Sequence, residues 1–326
     1  MSDSWAAVSR LKADDITFAP HWICASDGTS SVYAKWDTGL ERPLTVSRRL
    51  ARAAFDYMPE PQLEIADSFL VMHQGGRRTA IPIMASESAM QMKPPETSNP
   101  AGSLRMKALV DALGFMATTS TDNAVLRSIC LHGPWVTATN RFIAIKEPSG
   151  VDVGDVDVII PGDLIRTMAP VFKGAKAMMS YGDHGFTLGT DDIVFTSAVY
   201  ASRFPSILKV IAPPEHGVQL DAKVTSALRG CMANVSQVAS GEHDYVQLRV
   251  MDHALVVEFL DDDSGMRFEE TVSMDSAEPC AIQFHPSYLT RVLSLAETIT
   301  LPTDMRGKAY AKGHDGTGMV VMARRG

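Results

Sequence analysis

The chain has 326 residues, 45% of them hydrophobic and 21% charged, and its formal net charge is −8. This composition is typical of a soluble globular protein with two or three domains, and the acidic sum argues against a general nucleic-acid binder. The sequence has no apolar run of membrane-spanning length, no signal-peptide pattern and no CxxC pair. We therefore expect a cytoplasmic protein with reduced, buried cysteines and no membrane partner.

The first predicted element is a short helix around Ser4–Leu11, followed by strand patterns. A helix is predicted at Leu44–Met58, with Ser47 as its N-cap. Strands are predicted at 63–65, 69–73 and 78–84. The pair Gly75-Gly76 lies between the last two strands and predicts a hairpin turn. Met92–Ser103 predicts a linker, because it combines three prolines with polar residues and has no periodicity.

Further along the chain, amphipathic patterns predict helices at Leu104–Met116, Pro161–Phe172 and Ala222–Val238. Strand patterns are found over 177–200, in a hairpin at Tyr245–Leu260 and in a closing strand at Gly318–Met322. Ala212–Glu215 predicts a second linker. The run 261–263 consists of three aspartates but lacks the spacing of a calcium loop, so a solvated turn is the favoured interpretation.

A short stretch is repeated along the chain at a domain-sized spacing. Trp22–Asp27 and Trp135–Asn140 read almost the same. Each is followed by a second unit, made of an apolar strand end, a cap and a helix with an arginine. That unit occurs three times, at 46–52, 160–166 and 284–291. Several matches in one order at a consistent offset indicate tandem domains rather than coincidence. Helices that alternate with antiparallel hairpins predict an α+β fold.

Met106–Leu126 resembles the second-domain helix and following strand entry of the bacterial sliding clamp, the beta subunit of DNA polymerase III. Four further stretches resemble that family in the same order. They are 136–145 (VTATNRFIAI), 158–168 (VIIPGDLIRTM), 195–210 and 318–325 (GMVVMARR). None of these motifs is specific for the family by itself, but the whole set in this order is. The resemblance is good over 101–326 and weaker, though in register, over 16–100.

The resemblance implies three similar tandem clamp domains, at 1–100, 101–213 and 214–326, with the first shortened at its start. Two subunits would join head to tail into a ring dimer around double-stranded DNA, with helices lining the pore and antiparallel sheets outside. Such a clamp has no catalytic residue, cofactor or metal. It tethers a DNA polymerase and other partners through short peptide motifs, after an ATP-driven clamp loader has opened it.

Basic residues concentrate on the predicted helices, whereas acidic residues collect in loops. A pore lined by these helices would be positive inside an acidic protein and would contact phosphates without sequence preference. For each residue alone, the alternative is a cation that solvates an exposed helix face. The candidate DNA-facing residues are Arg48, Arg49, Arg52, Arg105, Lys107, Arg166, Lys173, Lys223, Arg229 and Arg291.

The resemblance also implies a peptide pocket between the second and third domains, suited to extended motifs that carry Leu or Phe. Its residues would be Leu126, Thr139, Asn140, Arg141, Phe142, Ile143, Pro205, Lys209, Val210, Val320, Met322, Ala323 and Arg324. For Val210, Val320 and Met322, an ordinary core position is the alternative. The turn 138–143 departs from the family, whose glycine and arginine are both replaced here, and this bears on the choice of partner.

For the ring, the resemblance sets a strand of domain one against the first helix of domain three. The predicted contacts are Thr79, Ile81 and Ile83 with Met232, Ala233 and Val235. Apolar surface of this kind would be exposed in a single subunit unless it were paired. Two other functions stay open at this point. One is an adaptor with the clamp fold that binds peptides without encircling DNA, and the other is an enzyme whose site matches no HExxH or GxSxG motif.

Overall fold

The computed structural model describes residues 2–85, 100–118, 123–172, 176–182, 185–200, 202–239, 244–251, 253–261, 265–275 and 278–324. These residues form an α+β protein. Its α-helices are α1 (Ser2–Arg10), α2 (Arg48–Tyr57), α3 (Met106–Ala112), α4 (Gly162–Met168), α5 (Ala222–Val238) and α6 (Pro286–Leu293).

The strands of the first half of the chain are β1 (Asp15–Phe18), β2 (Trp22–Ser26), β3 (Ser30–Lys35), β4 (Leu44–Ser47), β5 (Gln62–Ala66), β6 (Phe69–Gln74), β7 (Arg77–Met84), β8 (Pro100–Leu104), β9 (Ser128–His132), β10 (Trp135–Thr139), β11 (Ile143–Pro148) and β12 (Val158–Pro161). Those of the second half are β13 (Ala177–Gly182), β14 (Gly185–Gly189), β15 (Ile193–Ala198), β16 (Gly217–Leu220), β17 (Tyr245–Met251), β18 (Ala254–Leu260), β19 (Arg267–Ser273), β20 (Cys280–Phe284), β21 (Ala296–Pro302), β22 (Lys308–Gly313) and β23 (Gly318–Met322).

The first compact unit lies within 1–106, 150–153 and 163–201. Its eleven-stranded antiparallel sheet has the order β5-β6-β7-β4-β1-β2-β3-β15-β14-β13-β8. The aromatic ring of Phe55 on α2 stacks on Trp5 of α1, with centroids 4.0 Å apart, and also packs near Phe18 and Trp36 of the sheet region. These large apolar rings pack both helices against the sheet region.

The second unit lies within 107–149, 154–162 and 202–326. It contains an eight-stranded sheet, β12-β9-β10-β11-β23-β22-β21-β16, and a four-stranded sheet, β19-β18-β17-β20, both antiparallel. The central pair of the larger sheet joins β11 to β23, with Ile143 opposite Val321. Helix α5 packs against α6 and β21, and its Leu228, Met232 and Val235 side chains are fully buried.

The sequence repeats fold into equivalent elements. The two copies of the short stretch become β2 and β10, and each pairs with the strand before it and the strand after it. The three copies of the second unit become a strand that leads directly into a helix, namely β4–α2, β12–α4 and β20–α6. The α+β prediction and the tandem organisation are therefore confirmed in the backbone. The boundaries 1–100, 101–213 and 214–326 stay a prediction, since each compact unit combines strands from neighbouring repeats.

Several predicted boundaries were wrong. The helix expected from Leu44 begins only at Arg48, because Leu44–Ser47 forms β4 and pairs with β1. Ser47 occupies the N-cap position but makes no side-chain capping bond. Part of the predicted linker, Pro100–Ser103, belongs to β8, where proline at the first position of an edge strand is tolerated. The rest of that linker lies outside the described residues, as do two of the three aspartates in the run 261–263.

Two of the later helices are shorter than the sequence suggested. Helix α3 gives way at Leu113 to a 3-10 turn that ends at Phe115, and α4 ends at Met168 rather than near Phe172. The helix Ala222–Val238 has the predicted bounds. The four cysteines are free and buried, as expected, and burial raises the pKa of the Cys24 thiol to about 12. Within the described ranges, no helix is long and apolar enough to cross a membrane.

Candidate functional site

The second unit contains a cavity of about 500 Å³ beside the end of β23. We call it the terminal cavity. It is lined by Arg141, Phe142, Asp244, His285, Tyr288, Met322, Ala323 and Arg324. This volume is within the range of cavities that bind small molecules or short peptide side chains. The lining combines aromatic and aliphatic groups with two arginines and one carboxylate, so it can accept an apolar group and fix a charged one.

One wall of the terminal cavity is aromatic. The rings of Phe142 and Tyr288 are almost parallel, with centroids 5.4 Å apart and an interplanar angle of 12°. The ring of His285 lies 4.7 Å from that of Tyr288. His285 is the N-cap residue of α6, and its Nδ1 atom is 2.9 Å from the Ser287 hydroxyl. Phe142 is 53% exposed, so the wall offers a large apolar surface to a ligand.

A tight turn between β10 and β11 presents Arg141 and Phe142. The Thr139 hydroxyl donates to the Ile143 carbonyl at 2.8 Å and accepts from the Arg141 N–H at 3.0 Å. The Asn140 side-chain oxygen accepts from the N–H groups of Phe142 and Ile143, both at 2.9 Å. Arg141 has φ +82°, in the left-handed region that favours glycine. The side-chain hydrogen bonds of Thr139 and Asn140 hold this conformation in place.

The end of β23 and the two residues after it form the floor of the terminal cavity. The Met322 N–H donates to the Phe142 carbonyl at 2.9 Å, and the Ala323 N–H donates to Gly307 at 3.1 Å. The Arg324 N–H donates to Gln283 at 2.8 Å, while its guanidinium lies 5.1 Å from the Tyr245 ring centroid. These three backbone donors are already used, so a ligand meets side chains here rather than a strand edge.

The structure brings five of the predicted pocket residues to the terminal cavity: Arg141, Phe142, Met322, Ala323 and Arg324. Other predicted members are not among its lining. Leu126, Thr139, Ile143 and Val320 are buried, and Val320 packs with Ala144, Ile207 and Ile211 in a core cluster. Asn140 is half-buried, and its side chain stabilises the turn that carries Arg141 and Phe142. Pro205, Lys209 and Val210 are exposed on the segment after residue 202.

Sequence reasoning missed Asp244, His285 and Tyr288. A signal was present for two of them, since His285 and Tyr288 belong to the third copy of the repeated unit at 284–291. That copy was interpreted only as a capped helix. A further correction concerns Val320, whose strand is last in the sequence but lies between β11 and β22 in the middle of its sheet. With 2% exposure, Val320 is a core residue rather than a removable pocket residue.

The predicted DNA-facing residues fall into two groups. Arg49, Arg52 and Lys223 are exposed, whereas most of the others are engaged within their own unit. Two pair with acids one helical turn away, Lys107 with Asp111 and Arg166 with Asp163. Arg105 is half-buried, and Lys173 lies outside the described residues.

Three of these arginines bind backbone carbonyls. The Arg48 guanidinium donates to the Ser9 carbonyl at 2.7 Å, at the last turn of α1. The Arg229 guanidinium donates to Leu293 at 2.8 Å and also to Ala296. Arg291 donates to the Asp111 carbonyl. These three side chains are therefore engaged with carbonyls at or near helix ends, and their contact with DNA stays a prediction.

Arg291 connects α6 to the end of α3. Its guanidinium carbon lies 5.3 Å from the Phe115 ring centroid, and a Cβ at Gly114 would overlap the guanidinium. Burial lowers the pKa of Arg291, and the nearby Asp111 raises it in partial compensation. The side chain therefore holds two elements together.

We expect Arg291→Ala to lower the free energy of unfolding by about 1–3 kcal/mol, because it removes a charge-assisted hydrogen bond and an aromatic contact. Gly114→Ala should destabilise as well, since the methyl group occupies the guanidinium's place. Thermal unfolding measures both effects. Arg306→Ala is the matched control, because Arg306 is exposed on a turn of the same unit and such changes usually fall within about 0.5 kcal/mol. An unchanged melting temperature for Arg291→Ala would contradict this role.

The predicted ring contacts also need correction. Met232 and Val235 are completely buried in their own unit, and Ile81 is 2% exposed in the other. They do not form apolar surface that awaits a second subunit. Ala233 is exposed, and Thr79 and Ile83 are half-buried. The periodicity of α5 explains this burial. Apolar residues at helical spacing form the buried stripe of the helix, namely Val224, Leu228, Met232 and Val235.

Among the described residues, no group of three or more His, Cys, Asp or Glu side chains could hold a metal ion. The Asp157 carboxylate accepts from the Phe204 N–H at 3.0 Å and lies 2.9 Å from His132. It therefore ties the segment after residue 202 to the sheet.

Several solved structures of bacterial sliding clamps are similar to this chain. The chain is similar to the beta subunit of DNA polymerase III from Pseudomonas aeruginosa, with a TM-score of 0.82 and 16% identity over 99% of this chain and 96% of that one. It is similar to the DnaN sliding clamp from Bartonella birtlesii bound to griselimycin, with a TM-score of 0.85 and 15% identity over 100% and 97%. It is also similar to the beta subunit of DNA polymerase III from Thermotoga maritima, with a TM-score of 0.79 and 18% identity over 99% of this chain and 96% of that one.

No protein-family model matches the chain, and no curated protein sequence matches it. At 15–18% identity, what the chain shares with these structures is the fold. The resemblance noted in the sequence is thereby confirmed at the level of the fold, which is that of the bacterial sliding clamp.

Proposed function

We propose that this chain is a DNA sliding clamp, a non-enzymatic cytoplasmic processivity factor for DNA replication. Two copies form a head-to-tail ring around duplex DNA, each built from clamp domains at 1–100, 101–213 and 214–326. The observation that supports this most is the extent of the structural match, which covers 99% of this chain and 96% of a bacterial clamp. Because the match extends over nearly the full length of both chains, it supports the proposal of a ring built as in the clamps.

Two strand edges suit the closure of such a ring. The strand β19 is at one end of its four-stranded sheet, with Glu269 and Glu270 exposed. In the described part of the chain, Arg77–Pro82 of β7 pair with β6 on one side, while β4 reaches only Ile83 and Met84 on the other. Arg78 is exposed there. An antiparallel pairing of β7 with β19 of a second copy would satisfy both edges and join opposite charges.

Within this proposal, DNA contact is electrostatic and weak. Among the described members of the predicted set, Arg49, Arg52 and Lys223 are exposed and their side chains take part in no hydrogen bond or ion pair, and few free cations suit a ring that must slide. The phosphate contacts would carry no sequence information, and their strength would fall with salt concentration.

The terminal cavity is the proposed docking site for short peptide motifs of the polymerase and the clamp loader. We expect Phe142→Ala and Met322→Ala to weaken peptide binding by about 1–3 kcal/mol each, as truncation of central contact residues does. Both side chains are at least partly exposed, so the fold should survive, and circular dichroism checks this. Calorimetric titration with a Leu-Phe peptide measures the loss. Equal affinity of the variants and the original protein would rule out this cavity.

The oligomeric state tests the ring. Light scattering is expected to give twice the 35.3 kDa mass of one chain. A protein that stays at the single-chain mass at high concentration would contradict the ring and favour an adaptor that binds peptides without encircling DNA.

A further inference from the structure

The three repeats of this chain differ at the strand that follows the second helix of each repeat. These strands are β5, β13 and β21, which come after α2, α4 and α6. In the second and third repeats, the strand before the first helix covers one edge of this strand, because β8 pairs with β13 and β16 pairs with β21. In the first repeat, β5 lies at the end of its sheet and, within the described residues, pairs with β6 alone. One edge of β5 is therefore open where the other repeats are covered.

The low burial of β5 agrees with this open edge. Met179 of β13 and Leu301 of β21 are buried, whereas no residue of β5 is. Leu63 and Ile65 lie on the same face of β5, and both are only half-buried. These two aliphatic side chains therefore keep apolar surface that a neighbouring strand would cover.

The backbone groups of the same two residues point to the open edge. Ala66 and Phe69 flank a two-residue turn and lie opposite each other, so they form a hydrogen-bonded pair. Such pairs alternate along an antiparallel ladder, and Leu63 and Ile65 therefore direct their N–H and C=O groups away from β6. The next ladder agrees, because Phe69 lies opposite Pro82, which has no N–H, and so uses its own groups toward β5. Two N–H and two C=O groups thus face outward.

The other face of β5 has a negative charge at its centre. The Glu64 side chain is 57% exposed, and one of its carboxylate oxygens lies 3.1 Å from the His73 ring nitrogen. The residues that follow Glu64 across the sheet, Val71 and Ala80, are uncharged. The basic side chains, His73 and Arg78, lie opposite each other one pair further along the strands. A strand added beside Glu64 would therefore meet an acidic position.

We propose that the open edge of β5 binds an extended segment of another protein by strand addition, and that this segment carries a basic side chain between two β-branched apolar ones. The segment pairs antiparallel, as β8 and β16 do in the other repeats, and exchanges hydrogen bonds with Leu63 and Ile65. Its apolar side chains cover these two residues, and its basic side chain lies opposite Glu64. This inference depends only on the sheet of the first unit and needs neither the ring nor the terminal cavity.

Charge favours such a partner over a second copy of this chain. Antiparallel pairing of β5 with itself uses all the outward groups only when Leu63 lies opposite Ile65. That register places Glu64 directly opposite Glu64 of the second copy. Like charges opposite each other destabilise a sheet, whereas opposite charges stabilise it. The edge therefore fits a basic segment.

The test uses the full chain and a fluorescent peptide, Thr-Val-Lys-Val-Thr, blocked at both ends. Fluorescence anisotropy is expected to show saturable binding. N-methylation of the two valines removes the N–H groups that face β5 and should weaken binding about tenfold, whereas N-methylation of the lysine, whose N–H points away, should change it by less than about twofold. A peptide with Glu in place of Lys should bind about fivefold more weakly.

Two variants change the protein side of the contact. Ile65→Pro removes an outward N–H that β6 does not use, and because proline is tolerated on an edge strand the fold should survive while the peptide binds about tenfold more weakly. Glu64→Lys should reverse the preference, so that the Glu peptide binds more tightly than the Lys peptide. Glu41→Lys makes the same change of charge on an exposed loop of the same unit and should keep the original preference. Thermal unfolding checks that each variant is folded.

Amide hydrogen exchange locates the peptide, which is expected to slow exchange of the Leu63 and Ile65 N–H groups. The Leu-Phe peptide used for the terminal cavity should not displace it. The inference is overturned if the peptide does not bind at millimolar concentration, if Ile65→Pro and valine methylation leave its affinity unchanged, or if the Leu-Phe peptide displaces it. Assemblies larger than two chains that form without peptide and that Ile65→Pro dissolves would make a second copy the occupant, and would overturn it as well.

Discussion

Met232→Glu is expected to prevent folding of the second unit, whereas Ala233→Glu, one residue later, should leave it folded. Met232 is completely buried where α5 meets its neighbours. A carboxylate at that position would have to be protonated or left without water, and a change of this kind costs more than about 4–5 kcal/mol. That is a large part of the total stability of a domain. Circular dichroism and thermal unfolding of the soluble fraction measure it.

Ala233→Glu tests the ring rather than the core. Ala233 is exposed on α5, the helix that packs against the proposed interface strand β19. A negative charge on this helix beside the proposed interface should separate the subunits and give the 35.3 kDa mass of one chain. Ser226→Glu is the matched control on the exposed surface of the same helix and should stay dimeric. A folded Ala233→Glu protein that remains a dimer would remove α5 from the interface.

Met232 and Ala233 also show where reasoning from the sequence succeeded and where it did not. The bounds of α5 follow from its amphipathic pattern, and the same pattern places Met232 and Val235 on the core stripe with Leu228. The ring assignment came instead from position within a family, and it conflicted with that periodicity. Where the two disagree, the apolar spacing within the helix is the better guide to burial.

The arginines illustrate a second limit. Their presence on helices is visible in the sequence, but their hydrogen-bond partners are set by tertiary structure. Arg291 reaches the carbonyl of Asp111, and Arg48 reaches that of Ser9. The terminal cavity also depends on tertiary structure, because pairing of β11 with β23 brings Phe142 beside Met322. Local patterns predicted the turn and the strand, and only the fold adds His285 and Tyr288.

The second large effect concerns the exposed cations. Arg49→Glu, Arg52→Glu and Lys223→Glu in combination are expected to abolish retention of the protein on circular DNA, because they reverse the charges that remain free to meet phosphates. Each single reversal should matter little, since no contact dominates. The control reverses three exposed lysines elsewhere, Lys12, Lys35 and Lys312, and gives the same change in net charge. If both triple variants lose retention equally, net charge and not this set of residues is responsible.

The central claim is that the ring encircles DNA, and retention on nicked circles against linear molecules of the same sequence tests it most directly. The protein is mixed with nicked circular DNA while dilute, concentrated so that rings close, and washed at high salt. A topological link cannot be screened by ions. We expect the protein to stay on the circle through the wash and to leave when one restriction cut makes it linear. Equal retention on circular and linear DNA, or loss from both in salt, would contradict the account.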